Sequence, residues 1–338
     1  MRGTILIVDD VATNRILLKS RLAAACYDVA VAATGADGIA AARRIRPDLA
    51  LIDRALPDLD GIAAVARLRA DPATGALPLL VRCAADDRAG RLAALAAGAD
   101  GVFDRDGDEG VLLARIRGLL RDRAPVAGAA AIDGLAEAAA PFAGPARIAL
   151  VSAAPETALR WRAALAPHCT DCLVPMTPAA ALAGPQADLY VIAAGGDGLA
   201  HLCDLRSRPG SRDAAFCAVL PDASPAATAM ALDLGAGDVL PAAFDAAEAA
   251  LRLRVLITRK RAADTARAAV RAGLAAATVD PLTGLWNRRH ALPALTRMAE
   301  AAATGAQPCA AMLVDIDRFK DVNDRHGHAA GDAALRAV

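Results

Sequence analysis

One pattern is written twice in this chain. "TILIVDD", beginning at Thr4, returns as "RIALVS" at Arg147; "PDLALID" returns as "ADLYVIA"; and "AGADGVF" returns as "LGAGDVL", all at a nearly constant offset. Self-similarity of this length means two tandem copies of one fold. In the first copy, short apolar runs alternate with Ala-rich, Arg-studded segments of helical period. "TILIVDD", "DVAVAA", "PDLALID", "LPLLVRCAA" and "DGVFD" are strands, and helices such as "RILLKSRLAAA" and "GVLLARIRGLLRDR" lie between and after them. Five strands alternating with five helices predict an open parallel sheet wound on both faces. The fold class expected is therefore α/β, with two tandem doubly wound, parallel five-stranded, flavodoxin-like domains. Such sheets bind ligands at the carboxyl ends of their strands.

The expected boundaries are 1–123 for the first copy, 124–146 for a linker rich in Ala, Gly and Pro, and 147–258 for the second copy. A helical linker follows at 259–279, as part of one long helix from about Ala247. Leu253, Leu256, Val270 and Leu274 hint at an apolar seam along it, broken by Lys260 and Arg267. Asp280-Pro281 ends the helix. A third domain, 280–338, opens with "DPLTGLWNRR", a helix from about His290 and a strand "CAAMLVDID".

Composition narrows the classes of function. Lys plus Arg and Asp plus Glu number 38 each, so no net charge draws the chain to nucleic acid. No helix-turn-helix pattern or basic face suggests a DNA reader. No run of eighteen apolar residues is free of charges or breakers, so no membrane span is expected. Seven cysteines at irregular spacing, without a leader, suit free thiols in a cytoplasmic protein. "HCTDC", from His168 to Cys172, has no partner pair at zinc-site spacing and suits half-buried packing better than a metal.

In the first copy Asp9 and Asp10 end strand one and Asp53 ends strand three, so three carboxylates share one pocket. They need counter-charge, and Mg²⁺ with oxygen ligands suits them best. The Asp53 carboxylate could then attack a phosphoryl group and form an acyl phosphate. "ILIVDD" and "PDLALIDRALPDLDG" resemble the receiver domain of two-component response regulators, with Pro57 and Gly61 in the family's places. The resemblance implies that Asp53 is the phosphoacceptor, that Asp9, Asp10 and Asp53 bind Mg²⁺, and that a sensor histidine kinase or phosphotransfer protein is the partner. Two positions depart from the family: Cys83 stands for its hydroxyl residue, and Arg105-Asp106 for its lysine and cis-proline. A thiol is a poor donor to a phosphoryl oxygen, and a guanidinium is no geometric copy of an ammonium. In the second copy Ser152 and Ala153 fall on the metal acids, Ala193 on the phosphoacceptor and Ala242 on the lysine. That copy is expected to be a degenerate receiver, serving as a packing and dimerisation surface.

On a strand, residues two apart share a face, so Asp315 and Asp317 are expected to face one metal or phosphate site. The turn "RFK" offers backbone N–H groups and Lys320 to phosphates. Asn323 and Asp332 bracket a polar loop, and an amide with a carboxylate can read guanine. "DPLTGLWNRR" followed by "VDIDRFKDVNDRHGHAAGD" resembles the N-terminal part of a GGDEF domain, the diguanylate cyclase catalytic domain. The whole order is similar to that of PleD-type response regulators. By that resemblance Asp315 and the Ile316 carbonyl hold Mg²⁺, Phe319 and Lys320 lie along the GTP triphosphate, and Asn323 and Asp332 hold guanine. His326 and His328 are expected to be loop packing. The implied reaction joins two GTP into cyclic di-GMP with release of two pyrophosphates, in a homodimer whose formation phosphorylation of Asp53 controls. No "GGDEF" or "GGEEF" occurs in the sequence, so turnover by these 338 residues is expected to be absent. The alternative is a non-enzymatic, receiver-based dimerisation or signalling module with a vestigial output domain.

Overall fold

The structure, a computed structural model, describes residues 3–129, 144–303, 308 and 310–337, with side chains at all of these except 122–129 and 274–277. The first repeat holds strands β1 (Thr4–Val8), β2 (Asp28–Ala32), β3 (Leu49–Asp53), β4 (Leu79–Cys83) and β5 (Gly101–Asp104). Its helices are α1 (Ala12–Ala24), α2 (Gly35–Ile45), α3 (Gly61–Ala70), α4 (Arg88–Ala96) and α5 (Glu109–Ala129). The sheet order is β2-β1-β3-β4-β5, with every pair parallel.

Strand alternation explains the two layers of helices. Ile5, Ile7, Leu49, Leu51 and Leu80 face α1 and α5, where Leu18, Leu22, Ile116 and Leu119 meet them. Leu6, Val8, Ala50, Ile52, Leu79 and Val81 face the other way, onto Ala41, Ala42, Val65, Leu68 and Ala94. Strands buried on both faces read as continuous apolar runs, which is the pattern the sequence shows.

The second repeat copies this plan with β6 (Arg147–Val151), β7 (Cys172–Met176), β8 (Leu189–Ala193), β9 (Ala215–Leu220) and β10 (Asp238–Pro241), in the order β10-β9-β8-β6-β7. Its helices are α6 (Pro155–Leu165), α7 (Pro178–Ala183), α8 (Gly198–Ser207), α9 (Pro225–Asp233) and α10 (Ala246–Thr278). The duplication and its topology are thus as the sequence pattern predicts.

Two local expectations change. α5 runs on to Ala129, past the expected linker start at Ala124, because Ala-rich chain favours helix; residues 130–143 lie outside the described set. Leu253 and Leu256 are not an open seam: with Ile257 they are buried against β6, β8 and β9, since the first turns of α10 cover that sheet.

The repeats pack as one unit that ends at Asp264. Arginines of α4 and α5 reach acids of the second repeat: Arg91 to Glu248 at 2.9 Å, Arg115 to Asp238 at 2.8 Å, and Arg117 to Asp233 through two bonds of 3.0 and 2.7 Å.

A second unit begins at Thr265. In it the Asp280 side chain accepts N–H bonds from Leu282 and Thr283, and Val279 bridges to Trp286. Asn287 accepts from the His290 N–H at the start of α11 (Arg288–Ala303). "DPLTGLWN" is therefore a stapled turn between two helices. After α11 come α12 (Phe319–His326) and α13 (His328–Ala337), which pack against each other. The strand expected over 309–317 is not formed at its described residues, 310–317. Residues 310–316 lack ladder partners among the described residues, and Leu313 is 98 % exposed. An apolar run becomes a strand only when a neighbour takes its N–H and C=O groups, and no other segment described in this unit offers that edge.

Candidate functional site

β1 and β3 are adjacent and in register, so Asp9, just past β1, and Asp53, the last residue of β3, end on the same face two residues beyond Ile7 and Leu51. Both are buried, at 1 % and 2 % exposure, while Asp10 is exposed. Asp9 accepts from the Val11 N–H at 2.9 Å and from Asn14 Nδ2 at 3.2 Å. Asp53 accepts from the Ala55 N–H at 2.9 Å and from Arg105 Nη2 at 2.6 Å. Burial pushes the Asp53 carboxyl up, and repulsion from Asp9 adds to this, against lowering by the Ala55 N–H and Arg105. The outcome is a carboxyl above its ordinary range.

Gly61 holds the loop after Asp53 closed. A Cβ there would stand 2.3 Å from the Asp53 carbonyl oxygen, so no other residue fits without moving the strand end. Asp58 of the same loop accepts the Gly35 and Ala36 N–H groups at the start of α2, and these bonds hold its carboxyl below the usual range. Arg54, next to Asp53, pairs at 2.5 Å with Asp87, which also accepts the Gly90 N–H as the cap of α4. A direct link therefore runs from the Asp53 strand end to the helix whose Arg91 meets the second repeat.

The residue that the sequence pattern did not announce is Arg82. It pairs in register with Asp53 and falls on the face of Leu80, so it enters the pocket from the side. Its Nη1 lies 2.6 Å from Asp9 Oδ2 and 3.7 Å from Asp53 Oδ2, and its side chain is 7 % exposed. The available signal was a charge inside an otherwise apolar central strand. Cys83, the next residue, lies instead in the apolar cluster on the opposite face, and burial pushes its thiol up to about 11. It is not among the groups bonded to Asp53.

This arrangement changes the expected Mg²⁺ pocket. Two of the three acids converge, and guanidiniums already hold their oxygens. Among the described residues, no group of three or more His, Cys, Asp or Glu is gathered as a metal site. A hard cation needs free carboxylate lone pairs and room for water, and the donor set as arranged does not fit it.

In the second repeat, Ser152 follows β6, Ala193 ends β8 and Ala242 follows β10, the places of Asp9, Asp53 and Arg105. Gly198 repeats the role of Gly61: a Cβ there would meet the Ala193 carbonyl at 2.0 Å. The turn is kept while the acids are gone.

In the second unit, Asn323 on α12 and Asp332 on α13 are both half-buried. A Cβ on neighbouring Gly331 would fall 2.0 Å from Asn323 Oδ1. Phe319 and Lys320 start α12, with Arg318 before them in the left-handed region at φ 56°. Asp315 and Asp317 are exposed on irregular chain, so they do not share a strand face as expected. The Asp315 carboxylate accepts the N–H of Ile316 at 3.0 Å.

A parallel five-stranded sheet with a buried acid ending its third strand is the arrangement expected of a receiver. Residues 5–117 match the response regulator receiver domain, and residues 277–338 match the diguanylate cyclase GGDEF domain. The chain is 33 % identical over 357 aligned residues to the response regulator PleD of Caulobacter vibrioides, covering 99 % of this chain and 77 % of that protein. It belongs to that family of response regulators, in which receiver domains precede a GGDEF diguanylate cyclase domain. The chain is also 38 % identical over 125 residues to the transcriptional regulator RpaA of Synechocystis, covering 36 % of this chain and 52 % of that one. A solved CheY-like receiver protein of Methanospirillum hungatei is 26 % identical, covers 37 % of this chain and 98 % of its own, and has a TM-score of 0.35. No helix described here is long and apolar enough to cross a membrane.

Proposed function

We propose that this chain is a cytoplasmic, phosphorylation-controlled regulator of a diguanylate cyclase output, with Asp53 as phosphoacceptor. The observation that carries the proposal is the buried Asp53 carboxylate at the mouth of β3, 2.6 Å from Arg105. A sensor histidine kinase or phosphotransfer protein donates the phosphoryl group. An Asp53 oxygen bonds to phosphorus, the donor's P–N bond breaks, and Arg105 and Arg82 supply fixed positive charge beside the oxygens. Phosphorylation displaces Arg105 from its bond to the carboxylate and loads the strand end tied through Arg54 and Asp87 to α4. The resulting change at the α4–α5 face favours a homodimer of receiver pairs, and α10 is the covalent connection to the output. There Asp315, Ile316, Phe319, Lys320, Asn323 and Asp332 are the residues proposed to engage GTP and its metal ion. Dimerisation then supplies the proximity of two bound GTP molecules.

The test is light-scattering mass in solution, with and without a small-molecule phosphodonor. Wild type should shift towards dimer and Asp53→Asn should not; an equal response of both would discard the assignment. A second reading, a receiver-based dimerisation module without turnover, is favoured by the unpaired, exposed chain at Met312–Val314. It predicts the same mass shift with no GTP bound by the output residues.

A further inference from the structure

We infer that Arg82 is a built-in counter-ion that takes the place of a divalent cation in the first repeat, making this a charge-compensated receiver that does not bind Mg²⁺. The inference goes beyond the proposed function and does not depend on whether Asp53 accepts phosphate.

Three observations carry it. First, the Arg82 guanidinium stands between the two buried acids, 2.6 Å from Asp9 and 3.7 Å from Asp53, where a shared cation would have to sit. Second, its orientation is fixed. Nη2 donates to the Arg105 carbonyl at 3.1 Å, and the side chain is almost fully enclosed by the sheet end. Its Nε has no partner, so the group is held by the acids and that carbonyl and not by a wider network. Third, Arg105 closes the other side of Asp53 at 2.6 Å. Asp9 and Asp53 are thus faced by two guanidiniums, while Asp10 is exposed to water. A divalent ion entering here would meet positive charge at contact distance. It would also have to displace a buried guanidinium from its acid partners, and an unpaired buried charge is among the costliest arrangements in a protein. Arg82 is a positioning residue for Asp9 and Asp53 and supplies the charge a metal would otherwise bring.

The experiment is calorimetric titration of MgCl₂ into the full chain carrying Asp315→Asn, which silences the output-domain carboxylate. The same titration is then run with Arg82→Val added. The β-branched Val suits a central strand and leaves both acids without their shared partner. The expected result is no saturable binding in the Arg82 chain up to about 10 mM, and a gain of about 100-fold or more in affinity with Arg82→Val, as removing a contact positive charge from a low-dielectric site requires. The unfolding temperature of the Arg82→Val variant should also rise with MgCl₂ while that of its parent stays level. Arg82→Gln serves the same comparison if Arg82→Val does not fold. Saturable sub-millimolar binding in the Arg82 chain that Asp9→Asn abolishes would overturn the inference, as would equal affinities with and without Arg82.

Discussion

Replacing Asp238 with Ala should be the most damaging single change at the contact between the two repeats. Asp238 begins β10 and is 6 % exposed. Its carboxylate takes Arg115 from the first repeat at 2.8 Å, Arg252 of α10 at 3.4 Å and the Val239 N–H at 2.8 Å. Ala strips these away and leaves Arg115 and Arg252 enclosed. Breaking one side of a buried ion pair costs about 3–5 kcal/mol. Arg252 keeps Glu248 at 2.5 Å, which places the expected loss near the lower end, about 3 kcal/mol. Asp238→Asn keeps an acceptor for the Val239 N–H and should lose less. Urea unfolding at neutral pH, followed by circular dichroism, gives the values. Arg115→Met should be non-additive with Asp238→Ala, because the two remove one interaction. A loss under about 0.5 kcal/mol, the size of an ordinary surface change, or full additivity would refute the reasoning.

Further outcomes follow from the same structure. Burial pushes Asp238 up, but Arg115 and Arg252 outweigh it and hold the carboxyl below its ordinary range. Its contribution is therefore present above the unfolded carboxylate value of about 4 and lost as pH falls through the lower folded value; acid unfolding curves should show this and Asp238→Asn should flatten it. Cys83, raised to about 11 and 1 % exposed, should resist alkylation at pH 8 while exposed Cys26 and Cys172 react, as peptide mapping would show. Thr34→Ala removes the cap that accepts the Asp37 N–H and should cost about 1 kcal/mol in the same urea assay. Purified chain given GTP should form no cyclic di-GMP by chromatography, since the Gly-Gly-Asp/Glu-Glu-Phe hairpin is not in these 338 residues.

Much of the fold was legible because alternation and duplication are periodic signals that survive in a single sequence. The apolar runs of β1, β3 and β4 announced doubly covered strands, and the second repeat's lost acids could be read by aligning it on the first. Arg82 was hidden for a different reason. Its role depends on the register between β3 and β4, a pairing across sequence that no local pattern states. Gly198 shows the reverse case: its meaning emerges only beside Gly61, once both are seen pressed against a strand-end carbonyl. The misplaced strand at 309–317 shows a third limit. Hydrophobic pattern marks a segment fit to pair, but pairing needs a neighbour. Asn323 and Asp332, expected to bracket a polar loop, lie instead on two helices that pack together.

Asp53 is proposed as the residue through which this regulator receives its signal. Incubating wild type and Asp53→Asn with a labelled small-molecule phosphodonor, with MgCl₂ present and absent, measures it directly. Acid-stable, base-labile label is expected on the wild type alone, with little dependence on MgCl₂. Equal labelling of the two proteins would contradict it.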